Sequence, residues 1–411
     1  MEFNLRPTLA TGMICILGFV AAACGGSGSG GGSSSSGGVV GAVINTTPNS
    51  SASNAWRFFT AGGERVFYGY DSYVKRINRI SSNATTVQQS SQLSVPAQTD
   101  SWFAGPEGKV FFTIDDKALS TLNTESGVST PVKTFAGRVI SVAADATQGY
   151  YAFVDQYFAV TLLTMGQNGS VESQWTGGPL LGDGVTISAG DILPGGKLLI
   201  AGPGGALALV DIRESITKNS WQFQKIQLTD STGLNFVAPV VGRSDRAIVG
   251  STKSMSLLNV DSGAVLDNEV IGLYASSQKT GRVHVRYLDS ATDKWKFITA
   301  GDGDSFARFE LPNSDNLKLA TYVEQTYLTD KNLNAVMKAL PGISRRVFTV
   351  RLSDALVERS IDIGNETTIG LGDDEFSAME PSALGVLSIY NLRTGVAKSF
   401  KGYNRKLLQR D

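Results

Sequence analysis

The residues of this chain best suited to do chemistry are carboxylates. Asp115-Asp116, Asp302-Gly303-Asp304 and Asp373-Asp374-Glu375 each bring two or three acids together in turn-like sequence. Acids so spaced can share a proton for hydrolysis or hold a hard cation. Asp302-Gly303-Asp304 begins as a Ca²⁺ loop does, but the later ligands and the closing Glu are missing. Solvated turn acids are the plainer reading of all three groups. Asp302, Asp304, Asp373, Asp374 and Glu375 are kept as the candidate cation or ligand loops, because two loops can gather at one end of a closed fold. The single histidine, His284, sits in the alternation Val283-His284-Val285-Arg286-Tyr287 and reads as a satisfied strand residue rather than a general base. One His excludes His-cluster metal sites. No catalytic residue, metal or cofactor is assigned.

Gly177-Gly178-Pro179 and Gly202-Pro203-Gly204-Gly205 lack a following helix with Lys-Ser or Lys-Thr, so they read as tight turns and not as phosphate cradles. Phe67-Tyr68, Tyr70 and Tyr73, and Tyr150-Tyr151, Phe153, Tyr157 and Phe158, alternate with other residues as strand faces do. Packing in a core is expected of them before a carbohydrate platform.

The other reactive group is the thiol of Cys24. Arg6 precedes an apolar run over residues 9–20, then three alanines at 21–23, then Cys24 and the fourteen residues GGSGSGGGSSSSGG. A positive start, a short apolar stretch and small residues before a cleavage point make a secretory signal. Ending that signal on Cys resembles the lipobox of bacterial lipoproteins, although Ala21 stands where that family prefers Leu. The resemblance implies thioether acylation of Cys24 and cleavage just before it. Several acyl chains, at about 0.8 kcal/mol per buried CH₂, anchor a protein where one chain does not. An ordinary secretory signal cut after Ala23 is the alternative. Gly25 follows the Cys, not the Asp that retains such proteins at the inner membrane of enteric bacteria. The expected address is therefore the bacterial outer membrane, facing the periplasm, with the cell surface as alternative. Gly/Ser chain spans about 5–6 Å × √n, so residues 25–38 hold the body on the order of 20 Å from the bilayer.

These groups need a scaffold, and its signature is repetition. High Gly with Val, Thr, Ser and Tyr in short alternations reads as all-β. Val66-Phe67-Tyr68-Gly69 leads to Tyr73-Val74-Lys75-Arg76-Ile77-Asn78, and Val110-Phe111-Phe112-Thr113-Ile114 leads to Ala118-Leu119-Ser120-Thr121-Leu122-Asn123. An apolar strand ending in Asn or Asp, then a turn with Gly, closes at Gly127, Gly263 and Gly395. Looser copies end near Thr164, Asp211, Asp289 and Arg351. Seven steps from Asn78 to Asn391 give a period of about 45 residues, the length of a four-stranded propeller blade. Each such sheet has two apolar faces, which radial packing covers. Gly supplies the positive φ that these turns need.

The strand–turn phrases resemble the repeats of quinoprotein-type β-propellers, and with the lipobox the layout resembles the propeller lipoproteins of the outer-membrane β-barrel assembly machinery. That resemblance implies an envelope protein-binding or scaffold module. It departs at one point: the Trp that follows the turn Gly in quinoprotein repeats is absent after Gly127, Gly263 and Gly395, so no quinone is implied. The expected organisation is a signal peptide at 1–23, lipidated Cys24 with a tether to 38, and a β-propeller over 39–411. Eight blades are expected, with seven as alternative, because the step breaks between Asn259 and Arg351. Either Asp289 closes a short sixth blade and the seventh carries an insertion, or the ring has seven blades and Asp289 ends an inner strand. One short inserted helix is expected at 330–340: Asp330 as cap, Leu333, Val336, Met337 and Leu340 on one face, and Pro341-Gly342 as stop. Residues 39–44 are expected to pair beside Ile389 and close the ring, since 376–400 shows few clear strands.

Composition narrows the partners. The chain has 36 basic and 37 acidic residues, scattered, which argues against nucleic acid. Its two cysteines are Cys15 and Cys24, so the body beyond residue 24 holds neither thiol nor disulfide. Lys401, Arg405, Lys406 and Arg410 make the last segment basic, read as solvated. The expected partners are a membrane through the lipid anchor and envelope proteins, with a monomeric body. A carbohydrate- or peptide-active enzyme using loop carboxylates at the channel is the competing function, and a surface adhesin a third.

Overall fold

The computed structural model describes strand backbone between residues 56 and 401, and side chains chiefly between 112 and 362. Among the described residues, strands form eight four-stranded antiparallel sheets, each made of consecutive strands. In chain order the sheets span residues 56–94, 101–134, 139–177, 189–227, 236–270, 276–310, 322–364 and 367–401. The first strands of the third, fourth and fifth sheets, Val139–Asp145, Ala189–Leu193 and Phe236–Val240, lie side by side. Trp56–Ala61, the first strand of the first sheet, lies beside Thr367–Leu371, the first strand of the eighth. The sheets therefore close into a ring with their first strands innermost. The fold is a β-propeller, as the repeat implied.

Radial packing explains why the middle strands read as nearly continuous apolar sequence. Tyr150–Asp155 and Val160–Met165 of the third sheet are buried at every position. Alternation sends Tyr151, Phe153 and Leu163 toward Phe112, Ile114 and Leu119 of the second sheet. It sends Tyr150, Ala152, Val154 and Leu162 toward Ile192, Leu198, Ile200 and Val210 of the fourth. The pattern repeats between fourth and fifth, fifth and sixth, and sixth and seventh sheets. Each seam is a small hydrophobic core. A fully buried Leu or Phe is worth about 1.5–3 kcal/mol, so a seam of a dozen such residues holds its two sheets firmly. The aromatics at 150, 151 and 153 are core, with Phe112 and Tyr151 rings 4.7 Å apart.

The repeated Asn/Asp–Gly phrase is the turn from third to fourth strand. Asn123 Oδ1 accepts from the Ser126 amide at 2.8 Å, and the Asn123 amide closes the turn on the Val128 carbonyl at 3.0 Å. Asn259 does the same with Ser262 and Ala264. Gly127 and Gly263 take φ of 70° and 73°, the left-handed region that the phrase required. Asp289, by contrast, ends the second strand of its sheet, His284–Asp289, and the third strand runs Lys294–Ala300. Asp289 thus ends an inner strand, which accounts for the broken step, but the sheets among the described residues number eight and not the seven that went with that alternative.

Two expectations fail. Residues 332–338 form the strand Asn332–Lys338, second in the seventh sheet, and not a helix. The apolar spacing misled because a strand buried on both faces carries apolar residues at both parities: Leu333 and Ala335 face the sixth sheet, while Asn334, also fully buried, is satisfied on the other face by the Thr349 hydroxyl at 2.7 Å. The helix lies elsewhere, at Ile212–Lys218, where the turn after the third strand of the fourth sheet is enlarged. Asp211 caps it by accepting from the Glu214 amide, and Asn219 ends it at φ 50°. Nor is the last sheet short of strands: Thr367–Leu371, Phe376–Glu380, Val386–Asn391 and Ala397–Lys401 complete it. Residues 39–44, Asp330, Pro341 and Gly342 lie outside the described residues.

Candidate functional site

Antiparallel order fixes two faces on the ring. One carries the turns between first and second and between third and fourth strands. The other carries the turns between second and third strands and the connections to the next sheet. Asp304 belongs to the first kind, between Lys294–Ala300 and Phe306–Glu310. Its carboxylate accepts from Arg246 Nη2 at 2.8 Å and Nε at 3.3 Å. Arg246 stands near the start of the second strand of the fifth sheet, its side chain 9% exposed. It also donates to Asp245, which Arg243 grips through two bonds. The Arg243 hydrogen bond, with the Arg246 charge behind it, holds the Asp245 carboxyl below its ordinary value. Asp304 is thus a strap across the fifth–sixth seam. Asp302, Asp373, Asp374, Glu375 and Cys24 lie outside the described residues, as do Asp116 and the side chain of Asp115. Among the described residues no three His, Cys, Asp or Glu side chains are grouped to hold a metal ion.

The same seam carries a second charged clasp that the sequence pattern did not flag. Arg308 donates to both oxygens of Asp267 at 3.1 Å and to Glu269 at 2.7 Å. The acids lie on the outer strand of the fifth sheet, and Arg308 on that of the sixth. Burial alone would raise the Asp267 carboxyl, but bonds from Arg308 and from the Phe306 and Asn268 amides outweigh it and leave it lowered. Two acids two residues apart are one face of a strand, and that period-two spacing was the available signal. Lys197 and Asp261 make a further strap between fourth and fifth sheets at 2.8 Å. Lys133 reaches from the second sheet to Thr176 of the third at 2.7 Å, and burial lowers its ammonium. Beside it an open rim groove of about 400 Å³ is lined by Thr121, Thr130, Pro131, Ser170, Val171 and Gln174.

His284 is fully buried, with Nε2 2.7 Å from Thr326 Oγ1 of the seventh sheet and its ring 6.3 Å from that of Phe297. It is a seam residue, as its alternation implied. Where quinoprotein repeats place a docking Trp after the turn Gly, Val128 stands 59% exposed and Ala264 is exposed. A Trp pair does join the third and fourth sheets: Trp175 of the former meets Trp221, past the helix, edge to face at 4.7 Å. Gly177 makes room for it, since a methyl group there would fall inside the Trp221 ring.

No family model and no curated protein matches the chain. Among solved structures, the dihydro-heme d1 dehydrogenase NirN in complex with DHE is similar at TM-score 0.55 and 9% identity, over 81% of this chain and 72% of that one. The WD40 domain of SCAP from fission yeast is similar at TM-score 0.47 and 11% identity, over 82% and 95%. The C-terminal WD40 domain of Sif2 is similar at 0.45 and 13%, over 68% and 79%. At such identities the likeness concerns the fold. The chain is a β-propeller repeat protein.

Proposed function

We propose that this chain is a membrane-tethered envelope lipoprotein whose propeller acts as a protein-binding scaffold. One observation carries the reading: Cys24 and fourteen Gly or Ser residues precede a closed ring of sheets. A lipid anchor and a flexible spacer serve a body that must meet partners near a bilayer. The propeller supplies loops on two faces while its seams stay packed. The outer membrane, facing the periplasm, is the address that Gly25 supports. A loop-carboxylate enzyme is the weaker reading, because Asp304 is already tied to Arg246 across the fifth–sixth seam. The chemistry of the dihydro-heme dehydrogenase is not carried over, since a fold hosts unrelated functions.

The test has two parts. Labelled palmitate should enter the wild-type chain and not the Cys24→Ser variant. Crosslinking in native envelopes should then capture a reproducible set of envelope proteins. A Cys24→Ser protein that keeps its lipid label overturns the anchor. Turnover of an envelope glycan or peptide that is lost in Asp304→Asn overturns the scaffold in favour of the enzyme.

A further inference from the structure

The outer strand of each sheet leaves one row of backbone N–H and C=O groups unpaired, and such a row invites another strand unless something blunts it. Among the second to seventh sheets, all outer strands but one are blunted. Ser129–Thr134 of the second carries Pro131 and pairs across a register shift between Leu119 and Ser120. The outer pairings of the third and fifth sheets also break register, at Thr164/Met165 and Leu257/Leu258, and that of the seventh breaks at Arg345/Arg346 and Thr349/Val350. Phe306–Glu310 of the sixth keeps register, but its Phe306 amide donates to Asp267 Oδ2 at 2.7 Å and its Phe306 carbonyl accepts from Arg308 Nη1 at 3.1 Å. The clasp between fifth and sixth sheets thus also covers that edge. The fourth sheet has no such device.

Its outer strand is Phe223–Gln227, and the pairing with Ala206–Asp211 is unbroken. The Gln222 carbonyl accepts from the Asp211 amide at 2.9 Å, and the Leu228 amide donates to the Gly205 carbonyl at 3.1 Å, so the even-numbered residues turn their backbone groups inward. Phe223, Lys225 and Gln227 turn theirs outward, where none is bonded among the described residues. Their side chains lie opposite Val210, Ala208 and Ala206, on the face toward the third sheet. There Phe223 is 38% exposed, and Trp221, two residues earlier, packs into the same seam. Lys225 is exposed, with Nζ 5.9 Å from the centre of the Phe223 ring. Lys197 and Lys218 nearby are paired, with Asp261 and Glu214, whereas Lys225 makes no ion pair among the described residues.

We infer that the Phe223–Gln227 edge is a docking site that accepts an extended acidic–apolar segment of a partner protein as a fifth strand, with an acid opposite Lys225 and an apolar side chain opposite Phe223. This rests on the protein-binding reading for its setting. Binding by strand addition draws affinity from main-chain bonds and selectivity from alternate side chains. Charge decides between this occupant and a second copy of the chain. Two copies paired antiparallel in full register set Lys225 against Lys225, and like charges directly opposite weaken a strand pair. An opposite-charge pair in place of a like-charge pair should favour binding by about 2- to 30-fold.

The probe is a labelled, capped heptapeptide, Thr-Ile-Thr-Glu-Thr-Ile-Thr, whose symmetry sets Glu opposite Lys225 in either strand direction. Its counterpart carries Lys in place of Glu. Fluorescence anisotropy with the full chain should show the Glu peptide bound about 2- to 30-fold more tightly than the Lys peptide. Lys225→Glu, at an exposed position, should reverse that order. Backbone bonds alternate along an added strand, so a methyl group on the Glu nitrogen should abolish antiparallel pairing, and one on the next Thr nitrogen parallel pairing, each leaving the other intact. No binding of either peptide at millimolar concentration, an order that Lys225→Glu leaves unchanged, or equal effects of the two methyl groups overturns the inference. So does a dimer of the full chain that the peptide disperses, which would give the edge to a second copy. Crosslinking in native envelopes separates this site from the scaffold itself. The same proteins captured by wild type and by Lys225→Glu would overturn the site and leave the scaffold standing. If wild type captures nothing, the scaffold reading falls, and the order of the two peptides alone decides the edge.

Discussion

Thr326→Val removes one hydroxyl from the seam between sixth and seventh sheets and keeps the side chain's shape. Thr326 and His284 are both fully buried, and their polar atoms are 2.7 Å apart. A buried group deprived of its partner costs about 1–3 kcal/mol, while an ordinary hydrogen bond nets about 0.5–1.5 kcal/mol. Thr326→Val should therefore destabilise by about 0.5–1.5 kcal/mol through the lost bond to the imidazole. His284→Leu should cost a similar amount through the same bond, plus what its altered shape does to the packing on Phe297. In the double variant that bond is lost once and not twice, so its loss should fall short of the sum by about 0.5–1.5 kcal/mol. Any further contact of either residue cancels in such a cycle. The assay is equilibrium denaturation by guanidinium, read as midpoint shifts at constant slope. Single losses that add to within about 0.3 kcal/mol would show that the two side chains are not coupled, and the seam would owe its polar pair nothing.

Three further outcomes follow from the packing. Gly177→Ala pushes a methyl group into the Trp221 ring and should destabilise by about 1–3 kcal/mol, with altered near-ultraviolet dichroism and an unchanged far-ultraviolet spectrum; an unaltered near-ultraviolet band would contradict the Trp175–Trp221 contact. Gly263→Ala puts a side chain at φ 73° and should cost about 1–2 kcal/mol, whereas Gly178→Ala should be neutral in the same melt. Asp267 has a folded carboxyl lowered below its unfolded value, so its contribution is present above the unfolded pKa and is lost as pH falls through the folded one. Asp267→Asn should lower stability at neutral pH and flatten the acid limb below about pH 4; an acid limb identical to wild type would remove Asp267 from the seam's electrostatics.

The architecture was legible because a propeller writes its period into the chain. Asn123 and Asn259, each followed four residues later by a Gly at positive φ, mark equivalent turns, and the turn chemistry is local enough to survive in sequence. The second strand of the seventh sheet was illegible for a physical reason. Burial on both faces erases strict alternation, so Leu333, Val336 and Met337 mimicked a helical stripe. Ile212–Lys218 hid for the opposite reason: seven residues make two turns, too few for a stripe, and its signature is confined to Asp211 and Asn219. The charged clasps were partly legible. Asp304 stood out as an acid in a turn, but its partner Arg246 lies 58 residues earlier, and long-range pairing leaves no local mark.

The helix at Ile212–Lys218 also says something about how such a ring can change over generations. Its backbone is pinned by the bond from the Asp211 amide to the Gln222 carbonyl, the counterpart of Asn123 to Val128 and Asn259 to Ala264. The strands on either side of the helix pair without a break in register, and those flanking the Asn259 turn shift once, between Leu257 and Leu258. Doubling a loop of this size adds only about 0.6 kcal/mol of closure entropy. Turns at this position are therefore insertion points, where new sequence can be grafted, duplicated or lost at small cost and without disturbing the sheets that carry it. A library inserted between Asn259 and Ala264, with those two residues retained, would diversify one rim of the ring as antibody loops are diversified on their own rigid frame.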